Sequence, residues 1–205
     1  MLTDLFLKML NREASSPVRG AGRIFDSLGI TEGQTIADIG SGGGYFTLGF
    51  AQRVGESGRV FAVDTKQKYL NFIRRQSEQA GLGNIEFVLA ESDGVDLPIS
   101  SADLIFARNV FHHLSEPTRY FRNLGAVLKP AGRVAIIDHM PKRGFSFVSL
   151  FKHFTPVEKI REIMESAGYV LCESFNFLPG QSFLVFCCLD EKHLEREVPA
   201  RRETR

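Results

Sequence analysis

The run Ile36-Ala-Asp-Ile-Gly-Ser-Gly-Gly-Gly-Tyr45 constrains this chain more than any other stretch of it. A short apolar run, a turn made almost wholly of glycine and the start of a helical pattern read together as strand, tight turn and helix. Such a turn leaves backbone N–H groups open toward a groove where a nucleotide-like ligand can lie. The pattern is Asp38-x-Gly40-x-Gly42-x-Gly44, and Tyr45 stands where the dinucleotide GxGxxG motif wants its third glycine. An acid just ahead of the first glycine can accept hydrogen bonds from an ammonium group, whereas beside a pyrophosphate its charge is unfavourable. The turn therefore suits a cationic amino-acid ligand better than a diphosphate.

From residue 34 the pattern alternates. A strand runs to 39, a helix covers 45–54, a strand 59–63, a helix 66–80 ended by Gly81, and a strand 85–89. A strand over 103–107, a helix over 116–128 and a strand over 133–138 continue it. Strands separated by helices imply right-handed crossovers and a parallel sheet covered on both faces. Thr155-Pro156-Val157-Glu158 then supplies a cap, a first-turn proline and an acid for a helix that Gly168 ends. The last two strands, 169–177 and 182–189, are joined by Leu178-Pro-Gly-Gln181, too short for a crossover helix, so they form an antiparallel hairpin. The expected fold class is α/β: a Rossmann-like, seven-stranded, mostly parallel sheet with helices on both faces and an antiparallel C-terminal hairpin. Apolar stripes at Leu2, Leu5, Phe6, Met9 and Leu10, and at Val18, Ile24, Phe25 and Leu28, predict N-terminal helices over residues 1–30 that cover the site. The domain proper spans 31–189, and a charged tail without an apolar stripe follows at 190–205.

A chain of 205 residues fits one domain and one site. Its 25 Lys and Arg against 24 Asp and Glu give a formal charge of +1, without the basic field that draws in a nucleic-acid backbone or an anionic membrane. No nucleic-acid partner is expected, and membrane-surface contact is not favoured. The three cysteines, Cys172, Cys187 and Cys188, are odd in number and lack CxxC spacing, so reduced thiols are expected, with no disulfide framework and no metal site. No apolar run approaches the roughly 20 residues that span a bilayer. The opening residues carry Asp4 where a secretory leader has a basic region, so a cytoplasmic location is expected.

In an open parallel sheet, ligands bind outside the carboxyl ends of the strands where strand order reverses. Polar groups stand at such ends throughout: Asp38 to Gly44, with Ser41 among them, after the first strand, and Asp64 with Thr65 after the second. Ser92-Asp93-Gly94 follow the third strand, Arg108-Asn109 the fourth, and Asp138-His139 close the fifth. With Leu97-Pro98, Ala102-Asp-Leu-Ile105, Phe111-His-His-Leu114 and Leu128-Lys-Pro-Ala-Gly132, these runs resemble the successive motifs of class I S-adenosylmethionine-dependent methyltransferases. The branch resembled most contains the ubiquinone and menaquinone biosynthesis methyltransferases, over residues 30 to 189. The resemblance implies S-adenosyl-L-methionine as cofactor. It sets Gly40, Gly42 and Gly44 under the methionine part, Asp64 on the ribose, Asp93 on the adenine amino group and Asn109 toward the methionine end. Ala131, Ala102 and Ser92 depart from the family's usual residues without removing a polar group the cofactor needs.

Methyl transfer from a sulfonium requires an acceptor held in line and water kept out, with a general base only where the acceptor keeps its proton. His112, His113, Asp138 and His139 are the candidates for that base, and each could equally be structural. Asp64 could also cap the helix after it, and Asp93 could be an ordinary loop acid. The Phe-rich stretch 145–154 reads as a lid or core patch, or as an apolar wall for a hydrophobic acceptor with Lys152 and His153 nearby. Competing functions are an NAD(P)-binding oxidoreductase and a non-catalytic module that only holds the cofactor. After the fourth strand the chain reads Arg108-Asn-Val-Phe111, unlike the Pro-rich turn of base-flipping enzymes, which leaves a small-molecule acceptor.

Overall fold

The computed structural model describes residues 2–91, 94–140 and 154–188. Seven strands form one sheet: β1 (Thr35–Ile39), β2 (Arg59–Asp64), β3 (Ile85–Leu89), β4 (Ala102–Arg108), β5 (Leu128–His139), β6 (Tyr169–Phe175) and β7 (Gln181–Cys188). Their order is β3-β2-β1-β4-β5-β7-β6. The first five run parallel, and β7 lies antiparallel between β5 and β6. The chain steps outward from β1 to β3 and then crosses back to β4, so the switch in direction falls between β1 and β4. A crevice opens there above the carboxyl ends.

Helices α1 (Leu2–Ser15), α2 (Ala21–Leu28), α3 (Tyr45–Val54), α4 (Gln67–Gln79), α5 (Pro117–Gly125) and α6 (Val157–Ser166) cover the sheet. Strand side chains alternate between faces, and both faces are apolar. Ile36, Val60, Leu104 and Phe106 meet α2 and α3 through Phe25, Phe46 and Phe50. Ala37, Phe61, Ile105 and Val134 meet α5 and α6 through Phe121 and Ile160. On the first face Phe50 stands edge-on to Phe106, ring centroids 5.0 Å apart, and to Phe25 at 5.3 Å. Phe46 and Phe106 of this aromatic cluster reach the wall of the crevice.

Several predicted boundaries move. The fifth helix stops at Gly125, because Leu128 pairs with Ala102 and so belongs to the sheet. β5 therefore runs Leu128–His139 and absorbs Lys129-Pro-Ala-Gly132 as an irregularity in its pairing with β4. α1 continues to Ser15, and β6 ends at Phe175. Pro156, with extended ψ, is the cap residue of α6, with no side-chain cap, so the assignment of Thr155 as cap is displaced by one position. The expectation of reduced thiols is overturned for two of the three cysteines. Cys172 and Cys187 form a disulfide between the edge strands, their Cα atoms 6.0 Å apart. Cys187 is registered opposite Val170, and Cys172 is the extra residue of a bulge between Leu171 and Glu173, so the bridge is diagonal and residue spacing alone does not reveal it. The Phe-rich stretch up to residue 153 and the tail from 189 lie outside the described residues. No helix among the described residues is long and apolar enough to cross a membrane.

Candidate active site

A cavity of about 640 Å³ lies over the carboxyl ends of β1, β2 and β4, and α1 contributes a further wall through Leu10 and Asn11. Its floor is the glycine turn. Gly40 and Ser41 donate their N–H groups to the Val63 carbonyl at 2.8 and 3.0 Å, which ties the turn to β2. The Ser41 hydroxyl donates to the Asp38 carbonyl at 2.8 Å. Gly40, Gly42 and Gly44 have φ of 69°, 56° and 81°, a region that side chains rarely tolerate.

The glycines differ in what a side chain would meet. At Gly44 a Cβ would lie 2.7 Å from Ile73 of α4, and at Gly43 it would lie 2.7 Å from the Leu7 carbonyl and closer still to Asn11. Those two are glycines because helices pack on them. At Gly42 the nearest atoms would be 3.8 Å away, and the space beyond is the cavity. Asn11 seals the other contact by donating from Nδ2 to the Gly43 carbonyl at 2.7 Å.

Two acids stand below and beside this turn. Asp38 is almost wholly buried and accepts from the Thr47 hydroxyl at 2.5 Å. Burial pushes its pKa up to about 7 against the pull of that hydrogen bond, and the nearby Asp64 charge raises it further. Asp64 accepts the Gly42 N–H through Oδ2 and the Lys66 N–H through Oδ1, each at 3.0 Å. Its pKa is raised by burial, opposed by these two N–H groups. The carboxylate thus fixes the Lys66 N–H just ahead of α4 and lines the cavity at once.

The wall at the end of β4 is a polar network that sequence reasoning reached only in part. Asn109 adopts left-handed backbone, φ 57°, and its N–H donates to the Ile137 carbonyl at 2.8 Å. Among residues with a side chain, asparagine accepts that conformation most readily. Gln181 at the start of β7 donates from Nε2 to Asn109 Oδ1 at 2.6 Å and accepts from Arg108 Nη2 at 3.0 Å. The Arg108 guanidinium lies 5.0 Å from the centre of the Phe46 ring.

The family model described as "Methyltransferase domain" matches residues 30–186. The chain belongs to this methyltransferase family. Curated relatives include the ubiquinone/menaquinone biosynthesis C-methyltransferase UbiE of Escherichia fergusonii, 31% identical over 55% of this chain and 45% of that protein. The counterpart from Salmonella arizonae matches to the same degree. The chain spans under half the length of these relatives. Among solved structures, a SAM dependent methyltransferase from Aquifex aeolicus superposes with a TM-score of 0.82 at 25% identity, over 91% of this chain and 98% of that one. The [4+2]-cyclase SpnF shares the fold at a TM-score of 0.66 and 16% identity, over 81% and 80% of the two chains. The class I methyltransferase resemblance read from the motifs is thereby upheld, as is the expected α/β fold.

Around this cavity the structure brings together Asp38, Gly40, Ser41, Gly42, Asp64, Thr65 and Asn109 from the predicted set. Gly44 packs against Ile73 and is not a wall residue, and Gly94 forms an isolated bridge with Glu91, which does line the cavity. Ser92 and Asp93 lie outside the described residues. Of the four candidate bases only His113 lines the cavity. The His112 ring stands 4.0 Å from that of His113, and its Nδ1 bonds to Asp138 Oδ1 at 2.6 Å. Asp138 is fully buried and also accepts the His112 and His139 N–H groups at 3.0 and 2.8 Å. It orders the histidines from behind, without reaching the cavity. Half-burial lowers the His139 pKa, and the Asp138 charge opposes that shift. Arg108, Gln181 and Asn11 escaped the predicted site; Arg108 alone carried a signal, its place at a strand end.

Proposed function

We propose that this methyltransferase-family chain transfers a methyl group from S-adenosylmethionine to a small, partly apolar acceptor held in the same cavity. The observation that carries the reading is the pairing of Asp64 with Gly42 at the cavity rim, an acceptor for hydroxyl groups beside a turn with room for a ligand. When bound, S-adenosylmethionine supplies a methyl group activated by its sulfonium. Asp64 receives the ribose hydroxyls on its remaining lone pairs, since each oxygen already accepts one N–H. Asp38 provides negative charge below the turn for the amino-acid ammonium. Asn109 faces the methionine end from β4. Leu10, Leu114 and Tyr120 line the apolar part of the cavity and exclude water around the acceptor. His113 takes the acceptor's proton, with His112 held behind it by Asp138. The names of the curated relatives support a small-molecule acceptor.

Calorimetry with S-adenosylhomocysteine, NAD and NADP tests the cofactor assignment. Tight binding of the thioether alone is expected, and tight NAD binding without it would overturn the reading. Because the SpnF neighbour shows that this fold carries other chemistry, labelled methyl transfer into small-molecule extract, followed by mass spectrometry, decides whether the bound cofactor reacts.

A further inference from the structure

The guanidinium at the end of β4 has donors to spare. Arginine carries five N–H groups, yet among the described residues Arg108 makes one hydrogen bond, from Nη2 to Gln181. Its Nε and Nη1 are buried and without a hydrogen-bond partner among the described residues. Buried donors are almost always satisfied, so an orphaned cation at a cavity wall marks a place where another group is meant to bind. Arg19 lines the same cavity and is close enough to disfavour the Arg108 charge, its own partner being the exposed Glu13 carboxylate. Burial lowers the Arg108 pKa to about 10, which leaves the group charged at neutral pH. The cavity wall thus carries Asp38 and Asp64, with Lys66, at the ends of β1 and β2, and Arg108 at the end of β4, with Arg19 and its partner Glu13 near it.

We infer that Arg108, with Arg19 beside it, forms an anion subsite that takes a carboxylate. This rests on the reading of the cavity as a joint cofactor and acceptor site. Arginine offers a carboxylate charge-assisted hydrogen bonds that a neutral group cannot match. The carboxylate has two possible sources, the methyl acceptor or the amino-acid end of the cofactor. Gln181 of β7 holds the guanidinium at the end of β4, two strands away from Asp64 on β2, and the acceptor is taken as the expected source.

The experiment measures binding to the wild type and to Arg108→Met by calorimetry, with two matched pairs of probes. Intact and decarboxylated S-adenosylmethionine differ only in the cofactor carboxylate; benzoate and benzamide, added to protein saturated with S-adenosylhomocysteine, differ in the anion. The expected result is benzoate binding that exceeds benzamide binding and falls at least about tenfold in Arg108→Met, with both cofactor forms unaffected. A tenfold loss confined to intact S-adenosylmethionine supports the subsite with the cofactor as its source. Unchanged affinity for both anionic probes in the variant overturns it. Should Arg108→Met fail to fold, the wild-type Arg108 Nε–H resonance, assigned from its loss in Arg108→Lys, must shift on adding benzoate or S-adenosylmethionine; a stationary resonance overturns the subsite. If wild-type protein binds neither form of the cofactor, the methyltransferase reading falls, while the benzoate comparison on ligand-free protein still decides the anion subsite.

Discussion

Asp64 and Gly42, from the ends of two adjacent strands, are hydrogen-bonded to each other across the cavity rim at 3.0 Å. The acid therefore shapes the turn before any ligand arrives, and one substitution tests both tasks. In Asp64→Ala the affinity for S-adenosylhomocysteine falls about ten- to a hundredfold, the worth of roughly 1.5–3 kcal/mol for hydrogen bonds to a charged group. The protein stays folded, because the N–H groups of Gly42 and Lys66 gain access to water. Calorimetry on a variant with native circular dichroism checks this, and unchanged affinity would count against the ribose assignment.

Asp38 predicts an inverted pH dependence. Its carboxyl keeps a proton to about pH 7 in the ligand-free fold, whereas the unfolded chain releases it near the ordinary carboxyl value of 3.8. Between about pH 4 and pH 7 the native state binds more protons, so this group's contribution to stability falls as pH rises, opposite to a salt-bridged aspartate. An ammonium ligand favours the ionised form, so cofactor affinity rises with pH toward about 7 and then levels, with proton release on binding. Asp38→Asn flattens both trends. Calorimetry in buffers of different ionisation enthalpy reads the released proton, and its absence at pH 6.5 would refute the assignment.

Adjacent glycines separate ligand contact from helix packing. Gly42→Val points into the cavity and lowers cofactor affinity, though its φ of 56° adds a backbone cost of about 1–2 kcal/mol. Gly43→Ala drives a methyl group into Leu7 and Asn11 and lifts α1 from the turn. Hydrogen exchange in α1 then rises steeply for Gly43→Ala and stays near wild type for Gly42→Val. Equal protection of α1 in both variants would contradict the packing argument.

The histidine cluster predicts a division of labour. Asp138→Ala leaves two backbone N–H groups and the His112 ring without their acceptor in a buried site, which costs about 2–4 kcal/mol in urea unfolding. His113→Gln, at the cavity wall, keeps stability within about 1 kcal/mol and cofactor affinity unchanged, and lowers methyl transfer about a hundredfold. A His113→Gln protein as fast as wild type would remove this residue from the chemistry.

Much of the fold was legible in local pattern. β1, α3 and β3 appear at the residues predicted, and Asp38 and Asp64 stand at strand ends as read. The misread end of the fifth helix and start of β5 share one cause. Leu128 and the residues after it carry a turn-like signal, and only pairing with Ala102 makes them strand. The cystine was hidden likewise, because its partners meet through a bulge across two strands. In the site, Gly43 was passed over because its role comes from α1, which lies more than thirty residues earlier and docks on it.

The sequence by itself determined the strand, turn and helix around Asp38, the alternation that makes the sheet parallel, and the acids at its rim, because backbone sterics and apolar periodicity act between near neighbours. Tertiary structure alone decided which polar groups face one another. Gln181 meets Asn109 across 72 positions because β7 inserts antiparallel beside β5, a choice made by the packing of whole apolar faces. Among the described residues, that insertion also leaves Arg108 with one hydrogen-bond partner and two buried nitrogens without one, a property of burial that no local pattern encodes.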